Sequence, residues 1–188
     1  MVKIRHVFVK LKPKEKLLMY LLENKTPVSI MQVSGAIFVD YKNTYNLVKE
    51  LQPAMIYTEK LGNTNLINLN LKSSPEIYSI EQKRTEGPLL QHPKLKIVKK
   101  YIEDLNYPFL IVLVFGSYAK KTQTEHSDID ICIISDSHDK SKELLQKLRL
   151  LPLKLEIQEF TTKEFISMID KRQNNVGQEI VKNNILLY

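Results

Sequence analysis

Apolar positions recur with helical spacing through much of the first half of the chain, with polar positions between them. This periodicity predicts three helices, over residues 13–23, 29–36 and 41–51. Two apolar runs on either side of a turn-rich segment then predict a β-hairpin, with strands at residues 55–60 and 66–70. A loose alternation predicts a short strand within residues 1–10, and a polar segment after residue 72 predicts a connecting helix.

The second half of the chain alternates between strand-like and helix-like segments. Strands are predicted at residues 109–115, 128–134 and 153–158. Helices are predicted at residues 95–105, 140–150, 161–170 and 176–184. Gly87 and Pro88 interrupt the chain between the two halves. We therefore expect an α+β protein with two domains, residues 1–88 and 89–188.

The same periodicity predicts which face of each helix is buried. In the third helix, the predicted inward residues are Tyr45, Val48 and Leu51. In the helix over 95–105, the predicted apolar side consists of Ile97, Tyr101, Ile102 and Leu105. Ser29 and Asp40 are predicted to cap the second and third helices, and Thr161 with Glu164 has the spacing of a capping box.

Three helices followed by a hairpin resemble a winged helix-turn-helix module. The resemblance implies that the third helix enters a DNA major groove and that the hairpin is the wing. Lysines would then contact phosphates and asparagines would contact base edges or sugars. The outward residues concerned are Lys42, Asn43, Asn46 and Lys49. Modules of this shape also bind proteins or dimerise, and that alternative stays open.

Charge and composition narrow the choice of partner and compartment. The net charge is +7, and its excess is concentrated in the first 90 residues, with 13 Lys/Arg against 8 Asp/Glu. This favours a polyanionic partner for that half, although a solvated basic surface explains it equally well. Cys132 is the only cysteine, so no intrachain disulfide is expected. We expect a cytoplasmic protein without a signal peptide or membrane segment.

Two aspartates at the start of an apolar run carry the clearest chemical signal. The run Phe109–Phe115 ends at Gly116 and Ser117, and Asp128 and Asp130 precede the next apolar run. Residues i and i+2 of a strand face the same side, so the two carboxylates should lie together. Adjacent carboxylates repel each other unless a divalent cation lies between them. A glycine before them lets backbone amides approach a phosphate closely, and a serine adds a hydroxyl donor.

These residues resemble the signature of the minimal nucleotidyltransferases of the DNA polymerase β-like superfamily. Gly116-Ser117, ten further residues and Asp128-x-Asp130 stand within GSYAKKTQTEHSDID, and the resemblance covers about residues 93–188. It implies transfer of a nucleoside monophosphate from an NTP to a hydroxyl, with two Mg²⁺ ions and release of pyrophosphate. The C-terminal segment is also similar to such domains fused to an N-terminal winged helix.

The resemblance implies two groups of site residues. Metal binding and catalysis would fall to Asp128, Asp130 and Glu156. The triphosphate would be bound by Gly116, Ser117, Lys120 and Lys121. The chain departs from the family at the lysine pair, where Arg-Gly is common, and lysine lacks the fork of arginine. Gln158 faces the same side of its strand as Glu156, so either residue can fill the third acidic position.

Three functions remain open from the sequence. The first is a Mg²⁺-dependent nucleotidyltransferase that uses ATP or another NTP and an RNA, protein or small acceptor. The second is a DNA-binding regulator whose second domain binds nucleotide without turning it over. The third is an antitoxin-like transferase that binds DNA and modifies a protein partner. A homodimer is compatible with all three. No GxxxxGK[ST] motif supports a P-loop enzyme.

Overall fold

The computed structural model describes residues 11–70, 74–87, 92–107, 110–171 and 175–188. Within these ranges the chain forms nine helices and seven strands in two small sheets, which confirms the predicted α+β class. It divides into two compact units between Arg84 and Thr85. The strand predicted within residues 1–10 and the predicted boundary near residue 88 lie outside the described ranges.

The N-terminal unit combines helices with a three-stranded antiparallel sheet of order β1-β3-β2. Its elements are α1 (Pro13–Glu23), β1 (Val28–Ser29), α2 (Ile30–Ile37), α3 (Tyr41–Leu51), β2 (Ile56–Leu61), β3 (Thr64–Leu69) and, as far as Arg84, α4 (Pro75–Glu86). The hairpin turn is tighter than the sequence indicated, because Leu61 already pairs with Thr64. Gly62 lies in this turn at φ +58°, a conformation that favours glycine. The winged-helix assignment of this unit stays a prediction.

The predicted caps of α2 and α3 are confirmed. The Ser29 side chain accepts a hydrogen bond from the Gln32 amide, and the Gln32 side chain accepts one from the Ser29 amide. Asp40 accepts from the Asn43 amide at 2.9 Å. The predicted inward face of α3 is wrong at one position. Thr44, rather than Tyr45, is buried with Val48 and Leu51, and 41% of Tyr45 is exposed.

The C-terminal unit is built on a mixed four-stranded sheet of order β6-β5-β4-β7. Its elements are α5 (Pro93–Glu103), β4 (Ile111–Val114), α6 (Gly116–Lys120), β5 (Ile129–Ile134), α7 (His138–Arg149), β6 (Leu155–Phe160), α8 (Thr162–Asp170), α9 (Val176–Lys182) and β7 (Ile185–Leu186). Strands β5 and β6 are parallel, and the other pairs are antiparallel. The predicted capping box of Thr161 and Glu164 is confirmed at the start of α8.

The two central strands of this sheet are buried on both faces. Ile131 and Ile133 of β5 pack into one apolar cluster with α5 and α7. Cys132 and Ile134 face the opposite cluster, which contains Phe165 of α8 and Ile180 of α9. Burial raises the pKa of the Cys132 thiol to about 12, so this cysteine is an inert core residue.

The predicted apolar side of α5 is partly wrong. Ile102 and Leu105 are buried as predicted, but 43% of Ile97 and 40% of Tyr101 are exposed. The buried row instead consists of Leu95, Val98 and Ile102, with spacings of three and four residues. No helix in the described part of the chain is both long and apolar enough to cross a membrane.

Replacing Ile131 with alanine should destabilise the C-terminal unit strongly. The side chain is fully buried in the cluster shared by β5, α5 and α7. We expect a loss of about 2–5 kcal/mol in the free energy of unfolding, measured by urea denaturation. Ile166→Ala is the matched control, because 52% of Ile166 is exposed, and it should change stability by no more than about 0.5 kcal/mol. Equal losses from the two variants would contradict this description of the core.

Candidate active site

The two aspartates lie at the edge of the sheet where β5 begins. Strand β5 starts at Ile129, which is buried, and Asp128 immediately precedes it. Because strand side chains alternate, Asp130 faces the side opposite Ile129. Asp128 is exposed, whereas Asp130 is partly buried. The cost of burying a carboxylate therefore falls mainly on Asp130.

The parallel pairing of β5 with β6 brings a third carboxylate to this edge. Asp130 is the register partner of Glu156, and Cys132 is the register partner of Gln158. Neighbouring residues in register on parallel strands present their side chains to the same face. Glu156 therefore lies beside Asp130, while Gln158 lies two residues further along the strand. The sequence left open whether Glu156 or Gln158 lies beside the aspartates, and this register places Glu156 beside Asp130.

Gly116 allows Asp130 to occupy its position. It has φ +62°, a conformation that side chains rarely adopt. A Cβ added to Gly116 would overlap the Asp130 Oδ2 atom and would lie 2.7 Å from its Cγ. The sequence suggested that this glycine lets the backbone approach a phosphate. The structure adds a second reason, because the missing Cβ leaves room for the Asp130 carboxylate.

Burial and neighbouring negative charge shift the ionisation of Asp130. Burial raises the pKa of the Asp130 carboxyl above its ordinary value, and the charge of Glu156 raises it further. A hydrogen bond from the Ser117 backbone amide to Asp130 lowers the pKa in part. The charges of Asp128 and Glu179 act in the same direction as Glu156. The negative charges of three other residues thus act on Asp130.

The two lysines proposed for the triphosphate stand at the end of α6. Lys120 Nζ forms an ion pair with Glu179 Oε1 at 2.5 Å, which ties α6 to α9. Lys121 ends α6 in the left-handed conformation, with φ +60°, and is exposed. Glu179 was not identified from the sequence. Its only signal there is weak, since it is the sole acidic residue after Asp170.

The carboxylates at this edge suit a cation that is already bound to the phosphates of a substrate. Within the described ranges, no three or more His, Cys, Asp or Glu side chains are grouped so that they could hold a metal ion. Mg²⁺ is usually bound by one or two carboxylates together with substrate phosphates. Asp130 and Glu156 are in register and repel each other. These residues therefore fit a magnesium–nucleotide complex better than a preformed protein cage.

The four residues predicted to contact DNA are all exposed on α3. Asn43 is also engaged in the cap, because its Nδ2 donates to Asp40 Oδ2 at 2.5 Å. The sequence analysis missed the aromatic part of this surface. Tyr41 and Tyr45 stack with ring centroids 6.5 Å apart, and Lys49 Nζ lies 5.6 Å from the Tyr45 centroid.

Comparison with known proteins supports an assignment for the C-terminal part of the chain. Residues 96–188 match the model of the family described as polymerase beta, nucleotidyltransferase. This match supports a nucleotidyltransferase-type domain in the C-terminal half of the chain. No curated protein matches the chain significantly.

Two solved structures show limited likeness. One is a toxin-antitoxin with AMP-PNP, at 26% identity and TM-score 0.33, covering 48% of this chain and 72% of that one. The other is a mutant of Lactococcus lactis ZitR in complex with DNA, at 18% identity and TM-score 0.35, covering 52% and 75%. Both TM-scores are below 0.5, so neither likeness bears on fold or function here.

Gly116→Ala should damage the site more than a comparable glycine replacement elsewhere. The new methyl group would displace the Asp130 carboxylate, and the positive φ adds about 1–2 kcal/mol of strain. Gly62→Ala is the matched control, because Gly62 has φ +58° but no atom within 4 Å of the added Cβ. Urea unfolding should show a larger loss for Gly116→Ala. Equal losses would mean that the contact with Asp130 is unimportant.

Asp130→Asn should stabilise the metal-free protein at neutral pH. A raised carboxyl pKa means that the folded state favours the protonated form, so stability is lost as the pH rises through the folded-state pKa. A neutral amide removes this cost at pH 7 and changes little well below the ordinary pKa of aspartate. Denaturation at the two pH values measures the difference. A destabilised variant at pH 7 would contradict the assignment.

Proposed function

We propose that the C-terminal unit catalyses Mg²⁺-dependent transfer of a nucleoside monophosphate from an NTP to an acceptor hydroxyl. The observation that carries the proposal is the register of Asp130 with Glu156 beside the Gly116 turn. Two carboxylates held together next to a glycine turn suit a cation with a bound triphosphate. The family match over residues 96–188 supports the same class of activity. ATP is proposed as the default donor, because no motif in the sequence indicates a particular base.

Asp128, Asp130 and Glu156 are the proposed protein ligands of two magnesium ions, which would take their remaining ligands from the nucleotide, because the described carboxylates do not form a cage by themselves. Bound there, the metal would neutralise charge on the transferring phosphoryl group and lower the pKa of the acceptor hydroxyl. The Ser117 amide, which donates to Asp130, orients that carboxylate. The repulsion between Asp130 and Glu156 would be relieved when a cation binds. The protein thus contributes a preorganised set of charges rather than a covalent group.

The triphosphate is proposed to lie along Gly116, Ser117, Lys120 and Lys121. Lys120 is paired with Glu179 at 2.5 Å in the structure described here. An exposed ion pair of this kind is weak, so a triphosphate can replace Glu179 as the partner of the lysine. When the nucleotide binds, Lys120 would exchange its ion pair with Glu179 for one with a phosphate.

The proposed reaction is a single displacement at the α-phosphorus. The acceptor oxygen forms a bond to that phosphorus, the bond to the β-phosphate breaks, and pyrophosphate leaves with its electron pair. The acceptor proton passes to a carboxylate of the site. The side chain of Glu156 is exposed to solvent at this edge of the sheet, and Glu156 is the proposed proton acceptor.

The N-terminal unit is proposed to bind DNA through the exposed face of α3. The Tyr41–Tyr45 stack with Lys49 above it supports this, because such a surface offers both a flat contact and a cation. A DNA-binding regulator with an inactive second domain is the alternative function. The register supports it less well, because Glu156 rather than the neutral Gln158 stands opposite Asp130.

Glu156→Gln should reduce nucleotidyl transfer by about 10²-fold or more, because it removes a charge aimed at the transferring group. Transfer of label from an α-labelled NTP to protein, RNA and small hydroxyl compounds measures the activity. Glu159→Gln is the matched control, since Glu159 is exposed on the same strand but faces the other side. It should retain nearly full activity.

An equal loss in the two variants would contradict the assigned role of Glu156. Absence of transfer by the wild type across the whole acceptor panel, together with salt-dependent DNA binding, would favour the regulator instead.

A further inference from the structure

A basic cavity lies at the same edge of the sheet as the aspartates. It has a volume of about 180 Å³ and is formed by the start of α5, the loop before β5 and the residues before β6. Its polar lining includes Lys94, His126, Ser127 and Lys154. This volume is below the roughly 300–1,000 Å³ of sites for drug-sized ligands, so the cavity suits an end group of a molecule.

The cavity adjoins Asp128 but lies on the other face of the sheet from Asp130. Ser127 and Ile129, the neighbours of Asp128 on both sides, line it. Consecutive Cα atoms are about 3.8 Å apart, so the cavity wall is one peptide unit from the proposed metal ligand. Ile129 packs with α5 and α7, whereas Asp130 shares its face with Cys132. Because the Asp128 carboxylate is expected on the side of Asp130, a molecule bound in the cavity reaches it by passing around the start of β5, and the space beside Gly116 stays free.

Lysines outnumber acidic residues in the lining of the cavity. Neither Lys94 nor Lys154 has a carboxylate at ion-pair distance there, and Glu125 is the single acidic residue of the lining. Lys94 stands in the first turn of α5, which contains no acidic residue. A helix N-terminus already carries partial positive charge, so a lysine there adds to the field instead of balancing it. The arrangement favours an anion.

At the start of β5, the carboxylates of the site therefore lie on one face of the sheet and the lysines of the cavity lie on the other. The carboxylates at Asp130 and Glu156 suit a cation with a triphosphate, and the lysines at the cavity suit a second, separate anion. A two-substrate transferase needs such a division, because donor and acceptor must lie on either side of the reacting phosphorus.

We infer that this cavity binds a phosphate group of the acceptor, so that a hydroxyl of the same molecule reaches the edge at Asp128. The inference rests on the proposed transferase function. The shared chemistry is a phosphate close to a free hydroxyl. Either the end of a nucleic acid strand or a small phosphorylated compound supplies it. Lys94 and Lys154 contact the phosphate, and His126 and Ser127 are within the lining as hydrogen-bond donors.

Equilibrium binding without metal or NTP tests the cavity separately from catalysis. The probes are a fluorescent RNA hexanucleotide with a free 3′-hydroxyl, a nucleoside 5′-monophosphate and the unphosphorylated nucleoside, all with the full chain in EDTA. We expect Lys94→Gln/Lys154→Gln to weaken binding of at least one phosphorylated probe by about tenfold. The nucleoside should bind no better to the wild type than to the variant.

Lys96→Gln/Lys163→Gln is the matched control, since both lysines are exposed in the same unit and neither lines the cavity. It removes the same charge and should change affinity less than twofold. Loss with the hexanucleotide alone identifies a nucleic acid end as the acceptor, and loss with the monophosphate identifies a small compound.

Equal effects of the two double variants, or no effect of either, would overturn the cavity assignment. Either outcome would leave the proposed transferase activity standing if Glu156→Gln still abolishes transfer. The converse outcome is also possible: the wild type shows no transferase activity, but probe binding depends on Lys94 and Lys154. That result would refute the proposed function and support the anion site. Thermal unfolding confirms that each variant is folded.

Discussion

The crowding of carboxylates around Asp130 is the constraint on which the site depends. Asp130 is partly buried, lies against Gly116 and stands in register with Glu156. Each of these features raises the free energy of the ionised carboxylate. The sheet tolerates this because β4 and β5 are packed on both faces by apolar clusters, which fix the strands regardless of charge at their edge. The apolar clusters stabilise the folded sheet, and the ionised carboxylates at its edge destabilise it to a smaller extent.

This division explains why the glycine turn and the strand register matter more than any single charged residue. The turn at Gly116 sets how closely Asp130 approaches the backbone of α6. The register sets which residue of β6 becomes its neighbour. A slip of β6 by two residues would put Gln158 opposite Asp130 and remove one negative charge. The electrostatics of the site are therefore a consequence of backbone geometry.

Local patterns in the sequence predicted the parts of the structure that depend on local interactions. The caps at Ser29, Asp40 and Thr161 were predicted because a side chain bonds to an amide three residues ahead. The placement of the two aspartates on one side stays a prediction from the period of a strand. Tyr45, Ile97 and Tyr101 were misassigned because an apolar residue at helical spacing need not find a packing partner.

Other features depend on contacts distant in the sequence and could not be predicted. Strands β1 and β7 have two residues each, too few to produce a periodic pattern, and exist because they pair with β3 and β4. Glu179 joins the site only because α9 packs near α6, where it meets Lys120. Whether Glu156 or Gln158 lies beside Asp130 depends on the register of β6, which the sequence of a single strand does not encode.

Binding of Mn²⁺ tests the central claim most directly, because it asks whether these carboxylates hold a cation. Electron paramagnetic resonance can count free Mn²⁺ during a titration with a non-hydrolysable NTP analogue present. We expect saturable binding by the wild type and loss of that binding in Asp130→Asn, with the fold retained. Unchanged Mn²⁺ binding in the variant, or none in the wild type, would contradict it.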